Sequence, residues 1–572
     1  MEECYSYETF TPKKGELKPT TLTQAMKNAS KTEYDVIIIG GGATGAGTAR
    51  DCAMRGLKTI LIERLDFTAG ATGRNHGLLH SGARYAHTDP ESAAECIKEN
   101  KILRRIARHC VDDTGGLFVT LPEDSLDYQD AFVKDCLKCG IQADVLDPAE
   151  AVRLEPAVNK DIIGAVKVPD ASVDPFRLTT ANVLAARING ADIITYHEVT
   201  GFEKEGDRIT GVKVRSQRTG EEDTIYGKVT VNAAGIWGHH IAELAGVKVN
   251  MYPAKGALLI FGHRVNNMVL NRCRKPGDAD ILVPGDTISI IGTTSTRIPF
   301  DEIDHMDVTP GEVDLLLREG VKLSPVLATT RILRAYAGVR PLVADDSDPT
   351  GRSISRGIVC LDHAKRDGVE GFVTITGGKL MTYRLMAQEA TDMVCRKLGI
   401  DRPCETAEIP LPGSEPTAED EERRAHIIEL STEQKAAEER HGSWTGKIES
   451  RSDSDDALVC ECEQVSVAEV NYAMDELHVH NLVNMRRRTR LGMGTCQGEL
   501  CACRAAGLLE RHDKCTSRSI DDLASFMQER WHGMYPVCWG ETLCEVQFTS
   551  WLYQGVMGLD PDNSKDIDPS SF

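Results

Sequence analysis

Glycines near the start of the chain have the spacing of a dinucleotide-binding fingerprint. The apolar stretch 35–39 runs into a GxGxxG pattern made by Gly40, Gly41, Gly42, Ala43, Thr44 and Gly45. In this motif the first glycine permits a tight turn, the second lets the backbone approach a pyrophosphate, and the third lets a helix pack closely on the strand. The positive end of that helix then faces the phosphates. The spacing therefore predicts a dinucleotide site at this turn.

An acid at the expected distance supports the same prediction. A second apolar strand, 58–62, ends at Glu63, which lies 23 positions after Gly40. Its carboxylate can accept hydrogen bonds from ribose hydroxyls, and it would repel the 2′-phosphate of NADP. A glycine-rich turn without a ligand is the simpler alternative, but it leaves the acid unexplained.

A second strand end favours FAD over NAD. The strand-like run 229–232 leads into Ala233, Ala234 and Gly235, and no second fingerprint follows an apolar strand. Small residues at a strand end fit one large dinucleotide that lies across the domain. The predicted cofactor-binding residues outside the first turn are Glu63, Val199, Ala233, Gly235 and Gly378.

Five cysteines late in the chain are spaced as metal ligands. Cys460 and Cys462 are followed, after 33 residues, by Cys496 and Cys501, with Cys503 just beyond. Four thiolates in two close pairs meet the needs of a 2Fe–2S cluster or a zinc site. The C-x-C pair is tighter than the usual zinc spacing, so we predict iron–sulfur coordination by Cys460, Cys462, Cys496 and Cys501. Cys503 is either a spare thiol or a ligand in place of Cys501.

An arginine run lies just before the second cysteine pair. It comprises Arg486, Arg487, Arg488 and Arg490. These cations could offset the negative charge of four thiolates around iron, which would raise the potential of a cluster. The alternative is a solvated face of a helix or strand.

Three cations stand in glycine-rich surroundings instead of charged helix faces. They are Arg84, Arg340 and Lys379. Glycines that bring the backbone close to a ligand, each beside a cation, suit an anionic substrate. In a chain of net charge −21, an anion needs such a local positive pocket. A structural salt bridge is the alternative for each cation, and His76 and His80 are acid–base candidates by residue type.

Composition excludes several classes of protein. The 572 residues include 66 basic and 87 acidic side chains, and the length predicts more than one domain. A pI near 5.3 argues against nucleic-acid binding, which needs a basic face. No apolar run approaches the roughly 18–20 residues of a membrane span, and the first residues lack a secretory pattern. The 18 cysteines are therefore not expected to form a disulfide framework, and a reducing, cytoplasmic compartment is expected.

The elements that must position these residues alternate along most of the chain. Residues 34–400 combine short β-branched runs, glycine turns and helix-like stretches, which predicts an α/β fold. Predicted strands include 36–39, 59–62, 229–232 and 372–375, and Asp89-Pro90 opens a helix that carries the charged stretch to His109.

The expected organisation has five parts. They are a flexible N-terminal extension (1–33), FAD-binding and substrate domains interleaved in sequence (34–405), a linker with one exposed helix (406–456), a 2Fe–2S domain (457–512) and a C-terminal segment with a disordered tip (513–572). Three of the five tryptophans, Trp531, Trp539 and Trp551, lie in the last segment. They form either a partner-binding surface or part of the chain's own core.

Long stretches of the chain resemble the A subunits of bacterial anaerobic glycerol-3-phosphate dehydrogenases. They include IIIGGGATGAG, GATGRNHGLLHSGARYA, VNAAGIWG, AGVRPLVADD, TGGKLMTYRLM and GMGTCQGELCACRAAGLL, and the resemblance covers about 35–558. It implies a glutathione-reductase-type FAD-binding Rossmann domain with an antiparallel-sheet substrate domain. It also implies a small C-terminal iron–sulfur domain, like bacterioferritin-associated ferredoxin, with a 2Fe–2S cluster.

The resemblance also implies an activity and partners. The activity is oxidation of sn-glycerol 3-phosphate to dihydroxyacetone phosphate, with electrons passing through B and C subunits to a membrane quinone. The chain would then be cytoplasmic and peripherally attached to the inner face of the membrane. In related single-chain enzymes the substrate residues fall on motifs that match the catalytic candidates Arg84, Tyr85, Arg340, Lys379 and Thr382 here.

One position departs from those related enzymes. They have histidine at the end of a Lys-Gly-x-His stretch, where this chain has Leu258. The base is therefore not assigned, and His76, His80 and a bound water stay open. Two other functions also stay open. One is an FAD-dependent dehydrogenase of an amino acid or hydroxy acid, because a carboxylate can occupy an arginine clamp. The other is a non-catalytic electron-carrier subunit.

Overall fold

The computed structural model describes residues 28–343, 357–415, 431–448, 452, 454–513 and 516–559. Most of the predicted N-terminal extension and the predicted disordered tip lie outside these ranges. The end of the extension does not stand apart from the fold, because Ala29 is only 1% exposed and belongs to the main hydrophobic core.

The described strands account for two large sheets and two small ones. In chain order they are β1 (Glu33–Ile39), β2 (Thr59–Ile62), β3 (Leu78–Leu79), β4 (Val111–Asp112), β5 (Gly116–Thr120), β6 (Asp144–Leu146), β7 (Gly164–Val168), β8 (Ala171–Val173), β9 (Asp192–Ile194), β10 (His197–Glu205), β11 (Arg208–Ser216), β12 (Glu222–Asn232), β13 (Met251–Phe261), β14 (Val269–Arg272), β15 (Ile281–Pro284), β16 (Ser289–Gly292), β17 (Thr296–Arg297), β18 (Ile332–Val343), β19 (Ile358–Asp362), β20 (Phe372–Gly377), β21 (Leu458–Cys460) and β22 (Val465–Ser466).

The first large sheet carries the predicted dinucleotide turn. Strands β9, β2, β1, the end of β12 and β20 run parallel, β11 and β10 extend β12 antiparallel, and β19 pairs antiparallel with β20. Parallel strands are covered on both faces, which is why their sequences read as continuous apolar runs. The four predicted strands fall on β1, β2, β12 and β20, and the predicted α/β fold is confirmed.

The second large sheet has the order β17-β13-β16-β15-β14-β5-β7-β6, with β18 also paired to β13. Its neighbours are antiparallel except for β5 and β14, which run parallel. The long pair β13 and β18 brings Arg340, which lies two residues after Gly338, into register with Ala254. This sheet has the antiparallel arrangement expected for the substrate domain, with one parallel pairing that the sequence did not predict.

Helices cover the sheets and follow local capping signals. Asp89 accepts a hydrogen bond from the Ser92 N–H at 3.3 Å, and Pro90 occupies the first helical turn, where its missing N–H is harmless. The described helices are Ala43–Met54, Pro90–Ile106, Leu126–Lys138, Pro148–Leu154, Pro175–Ile188, Gly238–Leu244, Pro310–Leu323, His363–Asp367, Tyr383–Leu398, Thr432–His441, Val467–Glu476, Leu482–Thr489, Cys501–Asp513, Thr516–Met534 and Gly540–Ser550.

Part of the predicted linker is a packed element. In the helix Thr432–His441, Arg440 and His441 are buried and bind Glu469, which is itself fully buried, at 2.5–2.9 Å. The expectation of an exposed helix is therefore wrong at this helix. Its last turn binds a buried carboxylate of residues 457–512, which we call the cysteine-rich region. Residues 416–430 lie outside the described residues.

The C-terminal segment is helical and covers an edge of the second sheet. The Thr542 hydroxyl donates to the Ile332 carbonyl at 2.7 Å. Trp531, Trp539 and Trp551 remain 47%, 48% and 62% exposed, so burial in the chain's own core is not their role. Among the described residues, no helix combines the length and apolar character that a membrane span requires.

Candidate functional site

The glycine turn is a cradle that side chains would fill. Gly40 has φ +112°, and a Cβ there would lie 2.6 Å from the Ala233 carbonyl oxygen at the end of β12. A Cβ on Gly45 would lie 1.9 Å from the Gly40 oxygen, so the helix Ala43–Met54 packs on the strand at a distance that only glycine permits. Gly42 caps that helix without a side-chain bond, leaving its N-terminus open to an anion.

Glu63 fastens this turn. Its carboxylate accepts the Gly41 N–H at 2.6 Å and the Leu65 N–H at 2.8 Å. Burial raises the pKa of the Glu63 carboxyl, while both N–H groups oppose that shift. The carboxylate has further lone pairs for ribose hydroxyls. Thr72, which the sequence analysis missed, accepts the Ala43 N–H at 3.1 Å and thereby brings another loop to the helix N-terminus.

The other predicted cofactor residues surround the same strand ends. The Ala233 N–H donates to the Ile39 carbonyl at 2.9 Å, and Gly235 has φ +57° with open space where a Cβ would be. Gly378 has φ +62°, and its Cβ would lie 2.5 Å from the Met386 sulfur. Val199 is buried in β10, where it pairs with Val214 of β11, and His197 at the start of β10 donates its N–H to the Glu63 carbonyl at 2.9 Å.

These residues fit a bound dinucleotide. The cradle combines an open helix N-terminus, two glycines whose Cβ atoms would strike backbone, and a carboxylate beside the turn. The helix N-terminus would face the pyrophosphate, the glycines would let the backbone approach it, and the carboxylate would bind the ribose hydroxyls.

A cavity of about 1440 Å³ lies between the first sheet's loops, one face of the second sheet and the C-terminal region. His76 lines it from the loop that follows Thr72, and Tyr336 and Ile260 line it from the second sheet. Met493, just before the second cysteine pair, and Gln497, within that pair, also line it. The predicted substrate histidine and the predicted cluster loop therefore border one cavity.

Lys379, Tyr85 and Thr382 are brought together. The Lys379 ammonium lies 4.5 Å from the centroid of the Tyr85 ring, a cation–π contact. The Thr382 hydroxyl accepts the Lys379 N–H at 2.9 Å, which fixes the turn that carries the lysine. The Tyr85 ring lies 5.5 Å from that of His80, which in turn lies 6.1 Å from that of His76. These side chains form one continuous cluster.

Arg84, in the helical turn Ala83–Tyr85, and Arg340, on β18, both lie close enough to His76 to lower its pKa. Arg84 donates to the Asp280 carboxylate at 2.9 Å. Burial raises the pKa of Asp280, but the charges of Arg84 and Arg274 outweigh it and hold the pKa below its usual value.

The Arg340 guanidinium donates to neutral oxygens, including the Thr294 carbonyl at 3.0 Å and the Thr293 hydroxyl. A Cβ on Gly256 would lie 2.5 Å from this guanidinium, which explains the glycine there.

His76 is held as a neutral hydrogen-bond donor. Its Nδ1 accepts the Leu78 N–H at 3.2 Å, so the neutral ring carries its proton on Nε2. Burial, reinforced by the charges of Arg340 and Arg84, lowers the pKa of His76 to about 3. This ring is therefore neutral at physiological pH, and its Nε2–H is the group that donates.

The departure at Leu258 leaves an apolar side chain on the cavity side of β13. Leu258 is 1% exposed and pairs across the strands with Tyr336 and Gly292. The Tyr336 hydroxyl donates to the Asn75 carbonyl at 2.8 Å, which ties the sheet to the His76 loop. Sequence reasoning missed Tyr336, although its place four residues before Arg340 on one strand puts both on one face.

The four predicted ligand thiols contact one another in the order Cys460, Cys501, Cys496 and Cys462. Cys460 and Cys501 are each 1% exposed, whereas Cys462 and Cys496 are half-buried. Hydrogen bonds from Cys462 and Cys501 lower the pKa of Cys496, and one from Cys501 lowers the pKa of Cys460. The Gly492 N–H also bonds to Cys460. Cys503 is half-buried beside Tyr553.

The thiols form a chain of contacts and do not converge on one point. Among the described residues, no group of three or more His, Cys, Asp or Glu side chains could hold a metal ion as placed.

The arginine run is not a solvated face. Arg486 binds Glu529 at 2.8 Å, Arg487 and Arg488 bind Asp66 at 3.0 and 2.6 Å, and Arg490 binds Glu463 at 2.9 Å. Arg490 also pairs with Asp286 at 3.2 Å and Asp174 at 3.4 Å, so all four side chains form ion pairs with other parts of the chain.

Comparison with known proteins agrees with this architecture. Residues 35–384 match the family described as FAD dependent oxidoreductase. The chain is 61% identical over 539 residues to the A subunit of anaerobic glycerol-3-phosphate dehydrogenase from Escherichia coli strain K12, covering 94% of this chain and 99% of the relative. It is 43% identical to the A1 subunit of anaerobic glycerol-3-phosphate dehydrogenase from Haloferax volcanii, covering 95% of this chain and 94% of the relative.

A solved structure shares the fold. The glycerol-3-phosphate dehydrogenase from Bacillus halodurans complexed with FAD has a TM-score of 0.67 at 21% identity, covering 89% of this chain and 97% of that chain. From these matches, the chain belongs to the FAD dependent oxidoreductase family and, within it, to the anaerobic glycerol-3-phosphate dehydrogenase A subunits.

Proposed function

We propose that this chain oxidises sn-glycerol 3-phosphate to dihydroxyacetone phosphate, with FAD as the hydride acceptor. The observation that carries this proposal is 61% identity, over 94% of the chain, to a protein named for that substrate. The cations Arg84, Arg340 and Lys379 are consistent with it, because a phosphate needs local positive charge in an acidic chain.

The cofactor would be held by the glycine cradle. Gly40, Gly42 and Gly45 admit the pyrophosphate to the N-terminus of the helix Ala43–Met54, and Glu63 receives the ribose hydroxyls. Val199, Ala233, Gly235 and Gly378 complete the proposed set. When bound, FAD would supply the acceptor for a hydride, that is, for the C2 hydrogen together with its electron pair.

The substrate phosphate would be held by Arg84, Arg340 and Lys379. Charge-assisted hydrogen bonds are roughly twice as strong as neutral ones, so three cations select a dianionic phosphate over a neutral polyol. Tyr85 and Thr382 keep Lys379 in place through the contacts described above.

At the C2 oxygen, His76 is assigned as a hydrogen-bond donor and not as the base. Its Nδ1 is occupied by the Leu78 N–H, and its ring stays neutral beside two guanidinium groups. An Nε2–H aimed at the C2 oxygen would stabilise negative charge that develops as the hydroxyl proton leaves. The ketone forms when the C2 hydrogen departs with its electron pair to the flavin and the hydroxyl proton passes to a bound water.

The cysteine-rich region would carry the electrons onward. We assign Cys460, Cys462, Cys496 and Cys501 to a 2Fe–2S cluster, in which each of two irons takes two thiolates. Four thiols in contact with one another supply the number of ligands that such a cluster requires. Electrons would pass to B and C subunits and a membrane quinone, which would place the chain on the cytoplasmic side of the membrane. The relatives are themselves named as lettered subunits of a dehydrogenase, which supports a multisubunit assembly.

A substrate panel tests the proposal. The FAD-loaded chain is assayed with an artificial electron acceptor and sn-glycerol 3-phosphate, glycerol, or a set of amino and hydroxy acids. Turnover with glycerol 3-phosphate at a far lower KM than the others is expected. Faster turnover with an amino or hydroxy acid would contradict the proposal.

A further inference from the structure

Loop 63–68, which follows β2, is part of the cofactor cradle. Beyond the bond from Gly41 to Glu63, the Thr68 N–H donates to the Gly41 carbonyl at 3.2 Å. The Phe67 ring lies 3.0 Å from the position that a Gly41 Cβ would take. Both ends of the loop therefore contact the glycine turn, and its shape sets the position of the Glu63 carboxylate.

The outer side of the same loop is held by the cysteine-rich region. Asp66 is 2% exposed and accepts hydrogen bonds from Arg488 at 2.6 and 3.2 Å and from Arg487 at 3.0 Å. Arg487 also donates to the Phe67 carbonyl at 3.3 Å, and the Arg488 guanidinium lies 5.0 Å from the centroid of the Phe67 ring. Both arginines lie on the helix Leu482–Thr489, more than 420 positions along the chain from Asp66.

The Asp66 carboxylate is charged in this setting. Burial alone would raise its pKa, but Arg488 and Arg487 outweigh burial and lower it. A buried carboxylate that loses its cations is strongly destabilised, because an uncompensated charge stays in a low-dielectric environment. The loop would then leave its buried position to reach water, and Glu63 would move with it.

We propose that Asp66 is a positioning residue through which Arg487 and Arg488 of the cysteine-rich region hold loop 63–68 in the shape that binds FAD. The affinity for FAD then depends on two arginines that touch no part of the cofactor cradle except through this loop. Because coupling between sites is reciprocal, FAD binding in turn stabilises the docked cysteine-rich region. The inference rests on the flavin part of the proposed function.

A matched pair of variants tests it. Arg488→Gln and Arg487→Gln each remove one cation from Asp66. Arg486→Gln, from the same helix, breaks an equivalent pair with Glu529, which also binds Arg334 of the second sheet and not loop 63–68. The dissociation constant for FAD is measured by titrating each FAD-stripped full-length chain and following flavin fluorescence.

The expected result is FAD binding weakened about 5- to 150-fold in Arg488→Gln or Arg487→Gln, the usual range of coupling between sites. Arg486→Gln should keep the wild-type dissociation constant. At saturating FAD, Arg487→Gln and Arg488→Gln should both recover wild-type kcat and KM, which a general loss of structure would prevent. If Arg488→Gln does not fold, Arg487→Gln decides, because it leaves the Arg488 pair in place.

Two results would overturn the inference. One is an unchanged dissociation constant for FAD in both Arg487→Gln and Arg488→Gln. The other is equal weakening in Arg486→Gln, which would show that any loosening of the cysteine-rich region has the same effect. A wild-type chain that binds no FAD would instead contradict the proposed function, so the two failures are distinguishable.

Discussion

Replacing Gly45 by alanine should force the cofactor helix away from its strand. The new Cβ would lie 1.9 Å from the Gly40 carbonyl oxygen, whereas real Cβ atoms essentially never come closer than 3.0 Å. The obstacle is backbone, so no rotamer change relieves it, and the helix Ala43–Met54 must shift. Overpacking of this kind costs about 1–3 kcal/mol. If the bound state bears that cost, FAD affinity falls about 5- to 150-fold.

The assay is a titration of the FAD-stripped variant with FAD, followed by flavin fluorescence, with circular dichroism to establish folding. Gly311→Ala is the control, because the Cβ it adds in the helix Pro310–Leu323 meets nothing within 4 Å. It should bind FAD as the wild type does. A folded Gly45→Ala chain with wild-type affinity would refute the reasoning that this close approach shapes the cradle.

Three further predictions concern the substrate, the thiols and pH. Arg340→Gln should lower kcat/KM for sn-glycerol 3-phosphate about 10- to 150-fold with unchanged FAD content, from the loss of about 1.5–3 kcal/mol in charged hydrogen bonding; an equal loss with glycerol would refute the phosphate contact. Cys496→Ser should abolish the electron paramagnetic resonance signal of the reduced cluster while substrate still reduces the flavin; failure of flavin reduction would contradict two separable redox sites. The pKa of His76 is lowered to about 3, so the unfolded chain binds a proton that the folded chain does not as pH falls from about 6.5. Stability should therefore fall with pH in that window by up to about 1.4 kcal/mol per pH unit, and His76→Gln should remove that part of the slope in urea titrations; parallel slopes in both proteins would contradict the assigned pKa.

Local patterns in the sequence predicted the parts of the fold that depend on neighbours in the chain. The glycine turn, β1, β2 and the helix start at Asp89 follow from residues a few positions apart. Glu63 was also predictable, because its distance from Gly40 is fixed by one strand–helix–strand unit.

Contacts between distant segments could not be predicted in this way. Asp280 lies 196 positions from Arg84, and Asp66 lies 422 positions from Arg488, and nothing local marks either pair. The arginine run is the clearest example, since its residue types suggested solvent or thiolates and its partners are buried carboxylates. Packing between regions, and not periodicity, selected those partners.

The proposed hydride transfer from substrate to flavin is tested by mixing the anaerobic, FAD-loaded chain with sn-glycerol 3-phosphate in a stopped-flow spectrometer. We expect rapid bleaching of the flavin absorbance, with one dihydroxyacetone phosphate formed for each pair of electrons accepted. Flavin that stays oxidised in a chain shown to hold FAD would contradict it.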